Sequence, residues 1–326
     1  MGISPSIALV TTETRLLGLL AKYGTKGSAR FRMKSARAHY ANVNADADLD
    51  LAEEADFERY VEEDTQYQEV VKKIRSDLEG LGYPVIPVPK PYLATYFFGM
   101  TQAVVVVGPD GLVANAAKYV GELPIIGVNP LPKQYDGVLL KFTTAEARKI
   151  VSRTLEERIK CERVTLAKVK LSDGQTMLAF NDFFVGKQSH VSARYTIYAS
   201  DQSENQSSSG VIIATGAGST GWLSSVYNMT AGVGKSLGQT SDSRPSMTWD
   251  TKELRWVVRE PFRSQTSQID LVTGTIDASS PFRMESLMPD GGVIFSDGVE
   301  SDYLSFNSGT IAEFSIAPVQ SKLVIG

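Results

Sequence analysis

The residues of this chain best suited to chemistry sit in four short segments. In Ile213-Ala214-Thr215-Gly216-Ala217-Gly218-Ser219-Thr220-Gly221-Trp222 an apolar strand enters a run of glycines and hydroxyls, where backbone N–H groups can turn towards an anion. The segment reads as a phosphate or nucleotide loop, and Trp222 at its end is placed either to stack on a base or to pack in the core. Glycine–serine strings are more often ordinary turns, so this loop must be judged by its company.

That company is specific. Val104 to Val107 runs into Gly108-Pro109-Asp110-Gly111-Leu112, which puts a carboxylate at the carboxyl end of a buried strand, where open α/β sheets take ligands. Asn181-Asp182 follows the apolar Leu178-Ala179-Phe180. Asn181 offers amide donors and a carbonyl acceptor suited to a nucleoside edge, and Asp182 would accept from a hydroxyl or an amine; taken alone, the pair fits a turn cap as well. A basic segment, Arg15, Lys22, Lys26, Arg30, Arg32, Lys34 and Arg37, surrounds Gly24-Thr25-Lys26-Gly27-Ser28. Most of these charges read as a solvated helix face, while the glycine-flanked Lys26, with Arg15 and Arg30, is expected to meet a polyphosphate.

The elements that must hold these residues follow from hydrophobic period. Ser6–Val10, Pro84–Val88, Ala103–Val107 and Pro124–Asn129 are short apolar runs, read as buried parallel strands. After the acidic stretch Asp46 to Asp64, the run Tyr67–Leu81 has helical spacing (Val70, Val71, Ile74, Leu78, Leu81) and ends at Gly82, and Leu112–Tyr119 forms the helix between the last two strands. This rhythm predicts an α/β domain, residues 1–142, with a doubly wound parallel sheet. Beyond it a helix over Ala145–Ile159 leads into period-two stretches: Arg163–Leu171, Val191–Tyr198, Trp256–Glu260, Ser267–Val272 and Gly292–Ser296. These predict an antiparallel β-rich domain, residues 143–326, in which the glycine- and serine-rich Gly232–Ser246 is a surface loop.

Composition narrows the function. With 326 residues, 42% hydrophobic and 21% charged, the chain is long enough for two folded cores. A net charge of -4 argues against a nucleic-acid partner. No apolar run approaches the roughly 20 residues that span a bilayer, so no membrane partner is expected. Cys161, the sole cysteine, excludes an internal disulfide and cannot build a zinc site with only His39 and His190, which fits a cytoplasmic setting and no protein-held metal.

In order and spacing, the four segments resemble the NAD kinases, whose hallmarks are a Gly-Gly-Asp-Gly-Thr loop, an Asn-Glu or Asn-Asp pair and a Thr-Gly-Ser-Thr-aromatic loop. The likeness covers most of the chain and is nearest to the branch containing the mitochondrial NAD kinase and its bacterial relatives. Thr11-Thr12-Glu13-Thr14-Arg15, Gly127-Val128-Asn129, Asn181-Asp182-Phe183-Phe184-Val185-Gly186, Ser192-Ala193-Arg194-Tyr195 and Ser208-Ser209-Gly210 carry it further. The resemblance implies transfer of the ATP γ-phosphoryl group to the 2′-hydroxyl of the adenosine ribose of NAD, with Mg²⁺ on the ATP oxygens. It implies Asp110 as catalytic base in a phosphate loop with Gly108 and Gly111, and Asn181 and Asp182 as the grip on NAD. Thr220, Trp222 and Ser225 match dinucleotide contacts, Trp222 replacing a tyrosine. Ser209 stands where many members have an aspartate, and Asp297-Gly298 matches a late Asp-Gly turn. A homodimer or homotetramer is also implied.

The chain departs from that pattern at Pro109 and Leu112, which stand for the second glycine and the threonine of the loop. Proline lacks an N–H and leucine lacks a hydroxyl, so two phosphate donors are missing. The expected activity is an NAD kinase that leans on the segment Arg15–Arg37 for its donor. The alternative is a weak or inactive relative that binds a dinucleotide as sensor or regulator. Lipid and sphingoid-base kinases share the Gly-Asp-Gly loop but lack the Thr-Gly-Ser-Thr-aromatic loop, and rank lower.

Overall fold

Short β-branched runs that end in threonine, glycine or asparagine build the first part of the molecule as strands separated by capped helices. The computed structural model describes residues 5–41, 49–135, 137–239 and 246–326, with side chains described outside 34–41 and 49–56; Asp46 to Asp48 and the side chains of Lys34, Arg37 and His39 fall outside this set. Two compact units emerge, one from residues 1–113, 125–160 and 324–326, the other from 114–124 and 161–323.

The chain runs β1 (Ser6–Thr11), α1 (Arg15–Tyr23), α2 (Lys26–Ala41), α3 (Leu49–Glu79), β2 (Val85–Pro89), β3 (Thr101–Val107), α4 (Asp110–Ala117), β4 (Pro124–Asn129), β5 (Phe142–Thr143) and α5 (Ala147–Leu155). The strands of the first unit pair in parallel in the order β2-β1-β3-β4-β5, with Ile7 between Val85 and Ala103. Ile7 to Val10 and Ala103 to Val107 are essentially inaccessible, as expected of parallel strands covered on both faces. The acidic stretch and the amphipathic run are not separate: both belong largely to α3, which begins at Leu49. No glycine or proline interrupts them, and acidic residues in the leading half of a helix suit its dipole. Tyr67, Ile74 and Leu78 form the buried face of that helix.

The second unit contains β6 (Cys161–Leu171), β7 (Thr176–Ala179), β8 (Asp182–Lys187), β9 (Ala193–Ala199), β10 (Gln202–Ser208), β11 (Val211–Ala214), α6 (Trp222–Ser236), β12 (Leu254–Val258), β13 (Thr273–Ile276), β14 (Phe282–Ser286), β15 (Gly292–Ser296), β16 (Tyr303–Ser305) and β17 (Ile311–Val324). One sheet runs β10-β9-β14-β17-β6-β7, the other β13-β12-β11-β8-β15-β16. Side chains of both fill a single core: Tyr195, Ile197, Phe282 and Phe314 from the first meet Phe183, Val185, Ile213 and Trp256 from the second. Trp256 and Phe282 stack there with ring centroids 4.8 Å apart.

Two sequence expectations need correction. Ser267–Val272 is not a strand: the N–H groups of Asp270 and Leu271 go to the buried Glu204 carboxylate, and the Leu271 carbonyl accepts from Gln206, so this backbone is satisfied by side chains rather than a ladder. Gly232 to Ser236 is not loop but the last turns of α6; residues 240–245 of the expected loop lie outside the described set.

Candidate functional site

The second sheet is buried on both sides, and its outer face carries the chemistry. The strand period sends Phe183 and Val185 of β8 into the sandwich core, and Asp182 and Phe184 to the opposite face. On that face α6 packs Leu223 and Val226 against Ile212 and Ala214 of β11, which fixes the loop leading into the helix.

The Asn181–Asp182 turn is clamped through its backbone. Asp297 accepts the N–H of Phe180 at 3.0 Å and of Asn181 at 2.6 Å, and its own N–H donates to the Asp182 carbonyl at 3.0 Å. From the other side, the Thr215 hydroxyl donates to the Phe180 carbonyl at 2.6 Å, and the Thr215 N–H donates to the Asn181 carbonyl at 2.9 Å. Gly218 passes so close that a Cβ there would run into the Asn181 carbonyl oxygen. This close approach is why position 218 of the loop requires glycine.

With the backbone so occupied, the side chains of the pair are left over. Asp182 is 7% exposed, yet its carboxylate accepts no hydrogen bond from any described residue. Burial, reinforced by the nearby Asp297 charge, pushes its carboxyl up to about 7. A carboxylate set in a largely buried position with no donor from the described residues is available to a hydroxyl or an amine of a ligand.

Phe184, on the same face of β8 as Asp182, lines a groove of about 790 Å³ together with Lys187, Ser209, Trp222, Arg259 and Phe295; Asn181 and Asp182 are not among its lining residues. Phe184 stacks on Trp222 at 5.6 Å with ring planes 7° apart, and on Phe295 at 4.9 Å. The Arg259 guanidinium lies 5.1 Å over the Trp222 ring. Trp222 is thus part of an aromatic wall braced by Phe184, not a free ring. Thr220 is exposed at the end of the loop, and Ser225 is exposed in the first turn of α6. A larger groove, about 850 Å³, lies on the other sheet among Lys168, Lys170, Tyr198 and Arg283. Arg283 there faces Glu313 across the strands, the alternating charge of a solvated sheet face.

In the first unit the sequence-predicted residues have structural partners. Asp110 opens α4, and its carboxylate accepts the N–H groups of Val138 at 3.0 Å and Leu139 at 2.8 Å. Leu112 is buried and folds back over Gly108, 2.8 Å from where a Cβ would stand, while Gly111 is exposed. The crevice between the ends of β1 and β3 is filled by Tyr67, 3% exposed, whose hydroxyl accepts from Thr12 N–H at 2.9 Å and donates to the Val107 carbonyl at 2.8 Å. Burial pushes this phenol up to about 12, so it stays protonated. Arg15 lies over Tyr60, and Arg30 lies over Phe57 while pairing with Glu58 at 3.1 Å. Lys26 heads α2, exposed. Residue-type reasoning gave Tyr67 and Arg259 no role at the site and named Thr215 and Phe184 only as parts of longer motifs; a polar tip in the apolar stripe of α3 was the sequence signal for Tyr67.

No family model and no curated protein sequence matches the chain. Solved structures do. Yeast NADH kinase complexed with NADH aligns with a TM-score of 0.54 at 13% identity, over 100% of this chain and 84% of that one. An NAD kinase from Archaeoglobus fulgidus in complex with ATP aligns with a TM-score of 0.55 at 15% identity, over 97% of this chain and 92% of that one. The chain has the NAD kinase fold. The α/β part with its parallel sheet and the following antiparallel β part, expected from the sequence, are the two components of that NAD kinase architecture. At such low identity the fold alone is shared, and function must be argued from the side chains.

Proposed function

We propose that this protein transfers the γ-phosphoryl group of ATP to the 2′-hydroxyl of the adenosine ribose of NAD or NADH, forming NADP or NADPH and ADP. The observation that carries this is the Asn181–Asp182 pair: a turn whose backbone is held firmly, and a largely buried carboxylate with no donor from the described residues, on the sheet face that also bears the aromatic groove of Phe184 and Trp222, in the NAD kinase fold. Asp182 would accept from a hydroxyl or amine of the nucleoside, Asn181 would read its edge, and Trp222 would contribute an apolar wall. The N-terminus of α6, just after Thr220, adds unpaired N–H groups suited to a diphosphate.

In the transfer step the ribose oxygen attacks the γ-phosphorus, the bond to the bridging oxygen breaks, and ADP leaves. The hydroxyl proton goes to a free lone pair of Asp110, whose two oxygens each accept one backbone N–H. Among the described residues no three His, Cys, Asp or Glu side chains gather as a metal cage. Mg²⁺ would be carried by the ATP phosphate oxygens and would offset their charge. Lys26, with Arg15 and Arg30, would supply further charge to the donor.

A second reading, dinucleotide binding without transfer, is favoured by one feature of the first unit. Both Asp110 oxygens are engaged by Val138 and Leu139, and Tyr67 and Leu112 fill the space around the glycine loop. Incubating the protein with NAD or NADH, ATP and Mg²⁺ and separating the products separates the two readings. NADP or NADPH formation, lost in Asp110→Asn, supports the kinase; tight NADH binding with no product from any nucleoside triphosphate leaves the binding protein.

A further inference from the structure

A lysine ammonium is rarely buried unless a partner requires it. The Lys118 side chain is 2% exposed; its ammonium donates to Ser296 Oγ at 2.9 Å and stands 3.8 Å from Asp302. Tyr119, next in the chain, donates to the same Asp302 carboxylate. The charge of Lys118 also acts on Asp297, which holds the Phe180 and Asn181 amides. A single buried ammonium thus holds Ser296, and through it the neighbouring Asp297 that grips the backbone of the ligand pair.

We propose that Lys118 is a positioning residue for the Asn181–Asp182 pair, keeping Asp297 as a two-fold acceptor so that the Asn181 amide and the Asp182 carboxylate are presented in one fixed orientation. The role rests on the dinucleotide reading of that pair; the clamp itself does not. The groups around Asp297 are Lys118 and Tyr119 after α4, Asp182 at the start of β8, and Asp302 beyond β15. The ammonium stands between the partly exposed Asp302 and Asp297, and the Asp182 carboxyl feels the Asp297 charge in turn. Burial pushes Asp297 up to about 6, against the pull of Lys118 and of three backbone N–H groups. Without the ammonium, the Asp297 carboxyl rises further. A protonated Asp297 keeps only one good acceptor oxygen for two N–H donors, and the turn loosens.

The test combines protection factors for the Phe180 and Asn181 amides in the unliganded protein with NADH titration, both from pH 5.5 to 8.5. In the wild type, NADH affinity should rise by about tenfold as the pH passes 6 to 7 and then level off. Lys118→Met should weaken NADH binding by about tenfold at pH 7 and displace the rise upward by about one pH unit, with a parallel loss of Asn181 protection. Lys118→Arg should restore most of both. Asp297→Asn, which tests the link if Lys118→Met does not fold, should flatten the limb near pH 6 and lower Asn181 protection. Wild-type affinity, pH profile and protection in Lys118→Met would overturn the proposal. If the wild type binds no NADH, the dinucleotide reading fails by itself; the protection factors then decide the clamp, and unchanged protection overturns it.

Discussion

Asp110 and Asp182 are both carboxylates at strand ends, and the structure treats them in opposite ways. Asp110 sits at the rim of its sheet with two backbone N–H groups already bound; it is satisfied and holds the Val138–Leu139 loop in place. Asp182 is buried, takes no donor from the described residues and lies against a second carboxylate. The first has a structural task that any chemistry must accommodate. The second has its ionised form disfavoured by burial and by Asp297. Ligand recognition is therefore the better supported half of the proposed function, and transfer would have to work with an Asp110 whose oxygens already hold the Val138–Leu139 loop.

The largest effect that can sharpen this contrast is on transfer. Asp110→Asn should lower NADP formation by about 10²–10⁴-fold, the usual contribution of a general base, while NADH affinity stays within about threefold. Equal loss of both would mean that the residue serves folding only. Next comes stability. The carboxyl of Asp182 titrates higher in the folded chain than in the unfolded one, so folding takes up a proton. Its penalty is absent well below pH 4, grows as pH rises, and is complete above about 7. Asp182→Asn should therefore stabilise the protein by on the order of 2 kcal/mol at pH 8 and hardly at all at pH 4; the reverse dependence in thermal melts would show that the carboxylate has a partner.

Smaller effects concern the glycine loop. Pro109→Gly with Leu112→Thr returns an N–H and a hydroxyl, and should raise kcat by about tenfold or more if missing donors limit transfer. Because Leu112 is buried, the same pair should cost about 1–3 kcal/mol of stability. Tyr67→Phe is the mildest change: it removes the hydroxyl bridging Thr12 and Val107 at a cost of about 1 kcal/mol, and should raise ATP affinity if the plug competes with phosphate.

The elements around these residues were largely legible in the sequence. The apolar run Val211 to Ala214 followed by glycines and Trp222 gave a strand, a turn and a helix start because each step is a local preference. The parallel strands were equally clear, since Ile7 to Val10 and Ala103 to Val107 have no polar face. Ser267–Val272 misled because alternation was read as a ladder, whereas the buried Glu204 and Gln206, distant in sequence, take its backbone donors and acceptors. The site was legible as residue types and not as partners. Nothing local says that Asp110 will meet Val138 and Leu139, or that Thr215 and Asp297 will grip the Asn181 backbone from opposite sides. Lys118 was hidden for the same reason: its partners, Ser296 and Asp302, are distant in sequence.

The most direct measurement is a calorimetric titration of NADH into the wild-type protein and into Asp182→Ala at pH 8. Saturable binding that weakens by about 10–100-fold in the variant, corresponding to the loss of a charged hydrogen-bond acceptor, is the expected result. Identical affinities for the two proteins, or no binding to the wild type, would contradict the assignment of this pair as the dinucleotide site.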